Sequence, residues 1–372
     1  MTILSDIDLA AAACPCPIVA ISGTYGKTTT AELLGHLFRT AGYPTVVAGT
    51  AGRGFAEVVG TATVDGVVVL EVSSVQLAAC ETFHPAVSVL LNIAPEHRPR
   101  HLARDVSAEA YAEAKARVFR CQTFVDHAVL NAADVRVVAL ASQVPAPVLA
   151  FSVHELDGDG AFLRGEQLWY RYEGTECAVL SARELQLRGP HNVDNALAAL
   201  AATLHFGIPR DTVATGLRTF APLPHRLEPV GEVGGVPFVN DSMASTVGAM
   251  EKALQSFDRP VILIAGGRDQ EGDFARLAGL AENTVSTALL IGEAAHTIRD
   301  AWRDVPHIDV ASLEEAVRTA FAMAEKNEPV LLAPGCSSAD MFRDDAARGE
   351  EFRAAVRRLA DEIATGRPGG TP

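Results

Sequence analysis

Short continuous apolar runs alternate along the chain with stretches whose apolar residues recur every three or four positions. Ile18-Val19-Ala20-Ile21 is long and apolar enough for a buried strand. Leu33, Leu34, Leu37 and Phe38 then fall at helical spacing and predict a helix over 28–40. Residues 66–72 read as a second buried strand carrying Glu71 near its end, and 87–93 as a third. An amphipathic helix is expected over 108–120 and a further strand over 124–130. Between about 145 and 190 the pattern changes: 151–153, 161–163 and 168–170 are short runs broken by Gly and Asp, which predicts a small antiparallel insert. A helix follows over 193–204, and Pro222-Leu223-Pro224 punctuates the chain. Beyond it, strands over 236–239, 261–265, 288–291 and 330–333 alternate with helices. The pattern is α/β twice over: a doubly wound, mostly parallel sheet in residues 1–223, then a smaller α/β domain in residues 224–372.

The join between the first strand and the first long helix carries chemistry. It reads Gly23-Thr24-Tyr25-Gly26-Lys27-Thr28-Thr29-Thr30. Glycines leave backbone N–H groups bare, a helix N-terminus attracts anions and one lysine adds a fixed cation, so the segment suits a polyphosphate. The general phosphate-loop pattern wants another glycine where Ile21 stands, so only the shorter G-x-x-G-K-T-T core is present. Lysine is scarce, with only Lys27, Lys115, Lys252 and Lys326, which makes a lysine at this position more telling.

Composition removes several function classes. A net charge of −15 argues against nucleic acid as a partner. No charged segment leading into an apolar stretch opens the chain, and no apolar run reaches membrane-spanning length, so neither secretion nor membrane insertion is expected. Six cysteines without paired spacing read as reduced thiols of a cytoplasmic protein, and Cys14-Pro15-Cys16 reads as a loop, not a metal site. The last residues, 365–372, read as frayed.

In a parallel sheet, Glu71, the segment Asn92 to His97 and Lys115 would lie on the same edge as the phosphate loop. A Mg²⁺ ion on a triphosphate needs few protein ligands, and Thr28, Glu71 and His97 suit that task. Each also has a plain reading: Glu71 as a strand-end charge in solvent, His97 as a loop histidine and Lys115 as an exposed helix lysine.

These segments, in this order, resemble the Mur ligases, the ATP-dependent amide-bond enzymes of peptidoglycan synthesis. The likeness runs from Ser5 to about Leu359. It takes in the phosphate loop (with Tyr25 where asparagine is usual), Leu70-Glu71-Val72-Ser73-Ser74, Asn92-Ile93-Ala94-Pro95-Glu96-His97 and Tyr111-Ala-Glu-Ala-Lys115. It continues through Gly189-Pro-His191-Asn192-Val-Asp-Asn195, Leu223-Pro224-His225-Arg226, Asn240-Asp241-Ser242 and Pro334-Gly335-Cys336-Ser337-Ser338. The resemblance implies a central P-loop-type domain followed by a Rossmann-like one. It implies ATP as substrate, two Mg²⁺ ions and a carbamate on Lys115, which would require that lysine to be neutral before it reacts. Gly23, Thr24, Gly26, Lys27, Thr28 and Thr29 would cradle the phosphates. Thr28 and Glu71 would hold one ion, and His97 and carbamylated Lys115 the second. Asn192 and Asn195 would reach the nucleotide, Arg226 the phosphates once the domains close, and Asp241 the ribose or phosphates. Ser338, Arg268 and Gln270 would meet the incoming amino acid. The implied reaction activates a carboxylate as an acyl phosphate and joins it to an amine, with D-glutamate and a UDP-N-acetylmuramoyl-L-alanine acceptor as the named pair.

Some positions depart from the family pattern. Met243 and Gln270 stand where cations are usual, Asp345 where an aromatic residue is usual, Pro99 in place of an acid and Thr50 in place of an asparagine. Ser5 already resembles the lead-in to the central domain, so a UDP-gripping domain would come from a partner chain or from a different start. The same chemistry on a UDP-free acceptor or another amino acid, and a nucleotide-binding subunit without catalysis, remain as alternative readings.

Overall fold

Continuous apolar runs become the inner strands of a nine-stranded sheet. The structure, a computed structural model, describes residues 5–49, 52–94 and 107–365. The strands are β1 (Ile18–Ser22), β2 (Thr45–Gly49), β3 (Val67–Glu71), β4 (Val87–Leu90), β5 (His127–Asn131), β6 (Val148–Ser152), β7 (Gly160–Arg164), β8 (Gln167–Tyr172) and β9 (Thr175–Ser181). They lie in the order β2-β3-β1-β4-β5-β6-β7-β8-β9. Pairing is parallel through β7, and β7-β8-β9 form an antiparallel extension of the same sheet. β1, β3 and β4 are buried on both faces, which is why they read as unbroken apolar runs. β1 sits between β3 and β4, so the loop leaving it opens where the connections diverge to either side, the usual ligand crevice of such sheets.

Three expectations need correction here. The run at 151–153, expected within the antiparallel insert, belongs to β6, which pairs in parallel with β5 and β7, so the antiparallel part is β7-β8-β9. The strand expected over 124–130 starts only at His127. Phe124 and Val125 are exposed, because the Asp126 carboxylate accepts from Thr123 N (2.7 Å) and Thr123 Oγ1 (2.9 Å) and turns the chain. The helix expected over 108–120 is α-helical only from Ala108 to Ala116 and tightens into a 3₁₀ turn at Arg117–Phe119. There the Arg117 guanidinium is drawn to the Leu77 carbonyl, 2.9 Å away.

This first compact unit runs to Phe220, apart from Leu187–Pro190, which group with the second unit from Ala221 onward. The second unit holds β10 (Glu228–Val233), β11 (Val236–Asn240), β12 (Val261–Gly266), β13 (Val285–Ile291), β14 (His307–Asp309) and β15 (Val330–Leu332). Their order is β10-β11-β15-β12-β13-β14, parallel except for the β10–β11 hairpin. Apolar layers cover both faces: Met250, Leu263, Phe274 and Trp302 pack in one, Phe238, Ile264, Val317 and Phe352 in the other. Among the described residues no helix is long and apolar enough to cross a membrane.

Candidate functional site

The end of β1 and the start of the helix Lys27–Thr40 make the phosphate loop. Gly26 is the helix N-cap at φ +85°, a left-handed conformation that glycine adopts without strain, and it brings no capping side chain of its own. Lys27 occupies the first helical position, and its Nζ donates to the Thr24 carbonyl at 3.0 Å. Beside the loop lies a cleft between β2 and the helix, lined by Thr28, Glu32, Val47, Ala48 and Glu71. Thr28 Oγ1 donates to Glu71 Oε2 at 2.9 Å, and Glu71, the last residue of β3, is only 5% exposed.

Lys115 comes from the helix Ala108–Ala116 and ends beneath the loop. It is 1% exposed, its Nζ donates to the Gly23 carbonyl at 2.6 Å, and it lies 4.7 Å from the centre of the Tyr111 ring. Burial, reinforced by the neighbouring Lys27 charge and opposed by Glu71, pulls its amine down from 10.5 to about 6. Burial thus favours the uncharged amine over the ammonium.

The loop is clamped from β4 by a residue whose role the sequence left unassigned. Asn92 Oδ1 accepts from Thr24 N (3.1 Å) and Tyr25 N (2.8 Å), and its Nδ2 donates to the Tyr25 carbonyl (3.1 Å). Tyr111 joins the clamp, with its hydroxyl 3.2 Å from Thr24 Oγ1, and Thr24 Oγ1 also accepts from Ala94 N at 2.9 Å. Asn92 opens a motif recognised for its histidine, and its position two residues past β4, the strand neighbouring β1, is the signal that could have exposed it. Asn92→Ala removes the three side-chain bonds, each worth about 1 kcal/mol net. We expect kcat/KM for ATP to fall roughly 10- to 100-fold, mostly through KM, because the reacting groups stay in place. A fall carried by kcat alone would refute this positioning role.

Asn192 and Asn195 lie on the helix Pro190–Leu204 and are both buried. Asn195 Oδ1 accepts from Thr30 Oγ1 (3.2 Å), its Nδ2 donates to Asn192 Oδ1 (3.0 Å), and a Cβ on Gly26 would overlap Asn195 Oδ1. The pair therefore braces the loop from behind. His97, with Thr50 and Pro99, lies outside the described residues.

The remaining candidates belong to the second unit. Asp241, just past β11, accepts from Leu227 N at 3.1 Å. Its side chain is partly exposed, yet desolvation pushes the carboxyl up to about 7 against the pull of that amide and of Arg226. Ser338 is buried, and its N–H donates to Asp345 Oδ1 at 3.2 Å. Arg268 pairs with Ser337 through its backbone and sits 3.4 Å from Glu293, while Gln270 is exposed nearby. A second unassigned residue organises this region. Arg348 is 2% exposed and donates to Ser242 Oγ (3.0 Å), Ser242 O (2.7 Å), Cys336 O (3.0 Å) and Asp345 Oδ1 (3.0 Å). Asp345 thus has a local task, holding Ser338 and Arg348 together. Arg348 falls in an Asp-Ala-Ala-Arg-Gly-Glu run that reads as exposed helix, so nothing in the local pattern marks it.

Comparison with known proteins fixes the setting. Residues 21–203 match the Mur ligase middle domain, and residues 225–336 the Mur ligase glutamate ligase domain. The chain belongs to the Mur ligase family. It is 41% identical over 361 residues to the UDP-N-acetylmuramoylalanine–D-glutamate ligase of Geotalea uraniireducens, covering 97% of this chain and 79% of that protein. Among solved structures, MurF from Acinetobacter baumannii superposes with a TM-score of 0.73 at 18% identity, covering 96% of this chain and 79% of that one. MurF from Thermotoga maritima in complex with ADP gives 0.70 at 18% identity, over 95% of this chain and 84% of that one. As a Mur ligase, the chain is an ATP-dependent, ADP-forming enzyme that works on small molecules with Mg²⁺.

Proposed function

We propose that this Mur ligase joins D-glutamate to the L-alanyl carboxylate of UDP-N-acetylmuramoyl-L-alanine. The observation that carries the reading is the convergence of Lys27, the Thr28–Glu71 pair and neutral, buried Lys115 on the loop after β1. The substrate pair follows the D-glutamate ligase at 41% identity.

The chemistry explains why these groups gather. A carboxylate repels an amine and cannot expel oxide, so ATP first converts it to an acyl phosphate, which the amine of the amino acid then attacks. Both steps build negative charge that cations must offset. Lys27 would hold the β- and γ-phosphates at the helix N-terminus. Mg²⁺ would supply Lewis-acid stabilisation of the phosphoryl oxygens. Thr28 and Glu71 fit it by chemistry: a hydroxyl and a carboxylate held side by side, 2.9 Å apart, are hard oxygen donors of the kind Mg²⁺ takes. Among the described residues no three His, Cys, Asp or Glu side chains cluster, so nucleotide oxygens and water would complete the shell.

A neutral Lys115 amine can take up carbon dioxide, releasing one proton and forming a carbamate. The new anion would face Lys27 and suit a second cation, for which His97 is the other assigned ligand. Asn192 and Asn195 would carry the nucleotide as well as brace the loop. In the second unit we assign Arg226 to the phosphates and Asp241 to the ribose or phosphates. Ser338, Arg268 and Gln270 would receive the amino acid, with Arg268 the cation for its side-chain carboxylate. The free thiols fit a cytoplasmic enzyme.

Phosphate release from ATP tests this reading across all L- and D-amino acids, with UDP-N-acetylmuramoyl-L-alanine or UDP-free muramoyl-L-alanine as acceptor and bicarbonate present. Release confined to D-glutamate with the UDP acceptor is expected. Turnover only with another amino acid, only with the UDP-free acceptor, or none from folded protein would each overturn it.

A further inference from the structure

The ligase chemistry makes no use of the two cysteines that flank Pro15. Cys14 closes the helix Asp6–Ala13, its backbone N–H donating to Ala11 O, and Cys16 lies two residues before β1. Their Sγ atoms are 3.8 Å apart, and Cys14 Sγ donates to the Cys16 carbonyl at 3.4 Å. Both side chains are half-buried and remain within reach of a small solute. The segment between helix and strand has no regular secondary structure, so modest side-chain rotations can bring the sulfurs to bonding distance of about 2.0 Å.

We propose that Cys14 and Cys16 form an oxidant-sensitive thiol pair, which a hydroperoxide closes into an intramolecular disulfide. Cys14, as thiolate, attacks one peroxide oxygen; the O–O bond breaks, hydroxide leaves and takes a proton, and Cys14 becomes a sulfenic acid. Cys16 Sγ then attacks Cys14 Sγ, the S–O bond breaks, and hydroxide leaves with the Cys16 proton as a second water. Two thiols and one hydrogen peroxide thus give one disulfide and two waters. Burial and the adjacent Cys14 push the Cys16 thiol up, so Cys14 is the one to meet the peroxide, and Cys16, 3.8 Å away, closes the bond by proximity as its proton leaves.

A metal-binding use of the pair is weaker. Two thiols alone do not hold zinc, which takes four ligands in structural sites, and among the described residues no third His, Cys, Asp or Glu joins them. The other described cysteines have no sulfur neighbour of this kind. With a single residue between the sulfurs the closed ring is tight, which makes the bond easily reduced and its formation reversible. The pair also sits at the root of β1: the Pro17 carbonyl accepts from Val68 N at 3.0 Å, which ties the segment to β3.

The test treats the full chain with hydrogen peroxide, blocks remaining thiols by alkylation and weighs the peptide holding both cysteines. In most molecules that peptide is expected to lose two hydrogens, take up no alkylating agent and recover both thiols in dithiothreitol. Cys16→Ser should instead leave a sulfenic acid at Cys14 that dimedone labels, and Cys14→Ser should give neither product. Both positions are half-buried and outside regular secondary structure, and unchanged thermal midpoints of the variants check that serine leaves the fold intact. Independent alkylation of both thiols after peroxide, sulfinic acid at Cys14 in the parent, or disulfides only between chains would overturn the proposal.

Discussion

Replacing Lys115 by methionine is expected to abolish turnover and yet, in buffer stripped of carbon dioxide, to make the fold more stable. The two effects share one cause. The amine is held near 6 in the folded chain against 10.5 when free, because it is 1% exposed and faces Lys27. The folded state therefore binds fewer protons than the unfolded state between those values. The contribution of this group to stability is fully present above 10.5, falls as the pH drops toward about 6, and is level below that. At roughly 1.4 kcal/mol per pH unit, the cost at pH 7 has a ceiling of about 5 kcal/mol. Methionine removes it but also loses the bond to the Gly23 carbonyl, so a net gain of about 2–4 kcal/mol is expected. Denaturant midpoints of parent and variant from pH 6 to 10 measure this. The gap should be widest near pH 6 and close as the pH rises; a parent that is the more stable at pH 7, or a gap flat across the range, would contradict the buried neutral amine. Turnover should fall roughly a thousandfold or more, the scale of several kcal/mol of charge stabilisation. Isotope-labelled bicarbonate should give a carbamate resonance in the parent that is missing in the variant. Activity in the parent without that resonance would remove the carbamate while leaving the stability argument intact.

Much of this site was legible because its chemistry forces local pattern. The loop after β1 must be glycine-rich, the strand before it must be apolar on both faces, and Glu71 must end a strand buried the same way; all three show as short unmistakable words in the chain. The clamps were not legible for the opposite reason. Asn92 and Arg348 act on backbone carbonyls and amides of segments far away in sequence, and a polar residue aimed at a distant main chain leaves no local periodicity. The same holds for the missed strands. β14 is exposed throughout and β2 half-buried, so neither carries the apolar run that betrayed β3. The misplaced start of β5 has a different origin: Phe124 and Val125 are apolar and read as strand, but the local turn in which the Asp126 carboxylate accepts from Thr123 puts them in solvent, a short polar signal outweighed by the apolar pair. Asp345 looked like a lost substrate contact from its position alone, whereas its carboxylate is committed to Ser338 and Arg348.

Glu71→Gln separates a metal ligand from a strand-end charge, the two readings its position allows. Glutamine keeps the volume and can still accept the Thr28 hydroxyl, so packing at this nearly enclosed residue is preserved. A buried carboxylate that served only the fold would be missed in stability, and its replacement by a neutral isostere would leave nucleotide turnover nearly unchanged. A carboxylate that shares Mg²⁺ with Thr28 would be missed in the reaction instead. We expect kcat/KM for ATP to fall roughly a thousandfold, about 4 kcal/mol, with the midpoint of the magnesium titration shifted upward and thermal stability within about 1 kcal/mol of the parent. Thr28→Val should act in the same direction but more weakly, because a neutral hydroxyl contributes less to a hard cation than an anion does. Losing the Glu71 charge also removes a neighbour that raises the Lys115 amine, so the variant lysine should titrate lower still. If excess magnesium restores neither variant and both melt early, Glu71 belongs to the architecture of β3; if stability holds and the magnesium dependence moves, the 2.9 Å pair is the ion's seat.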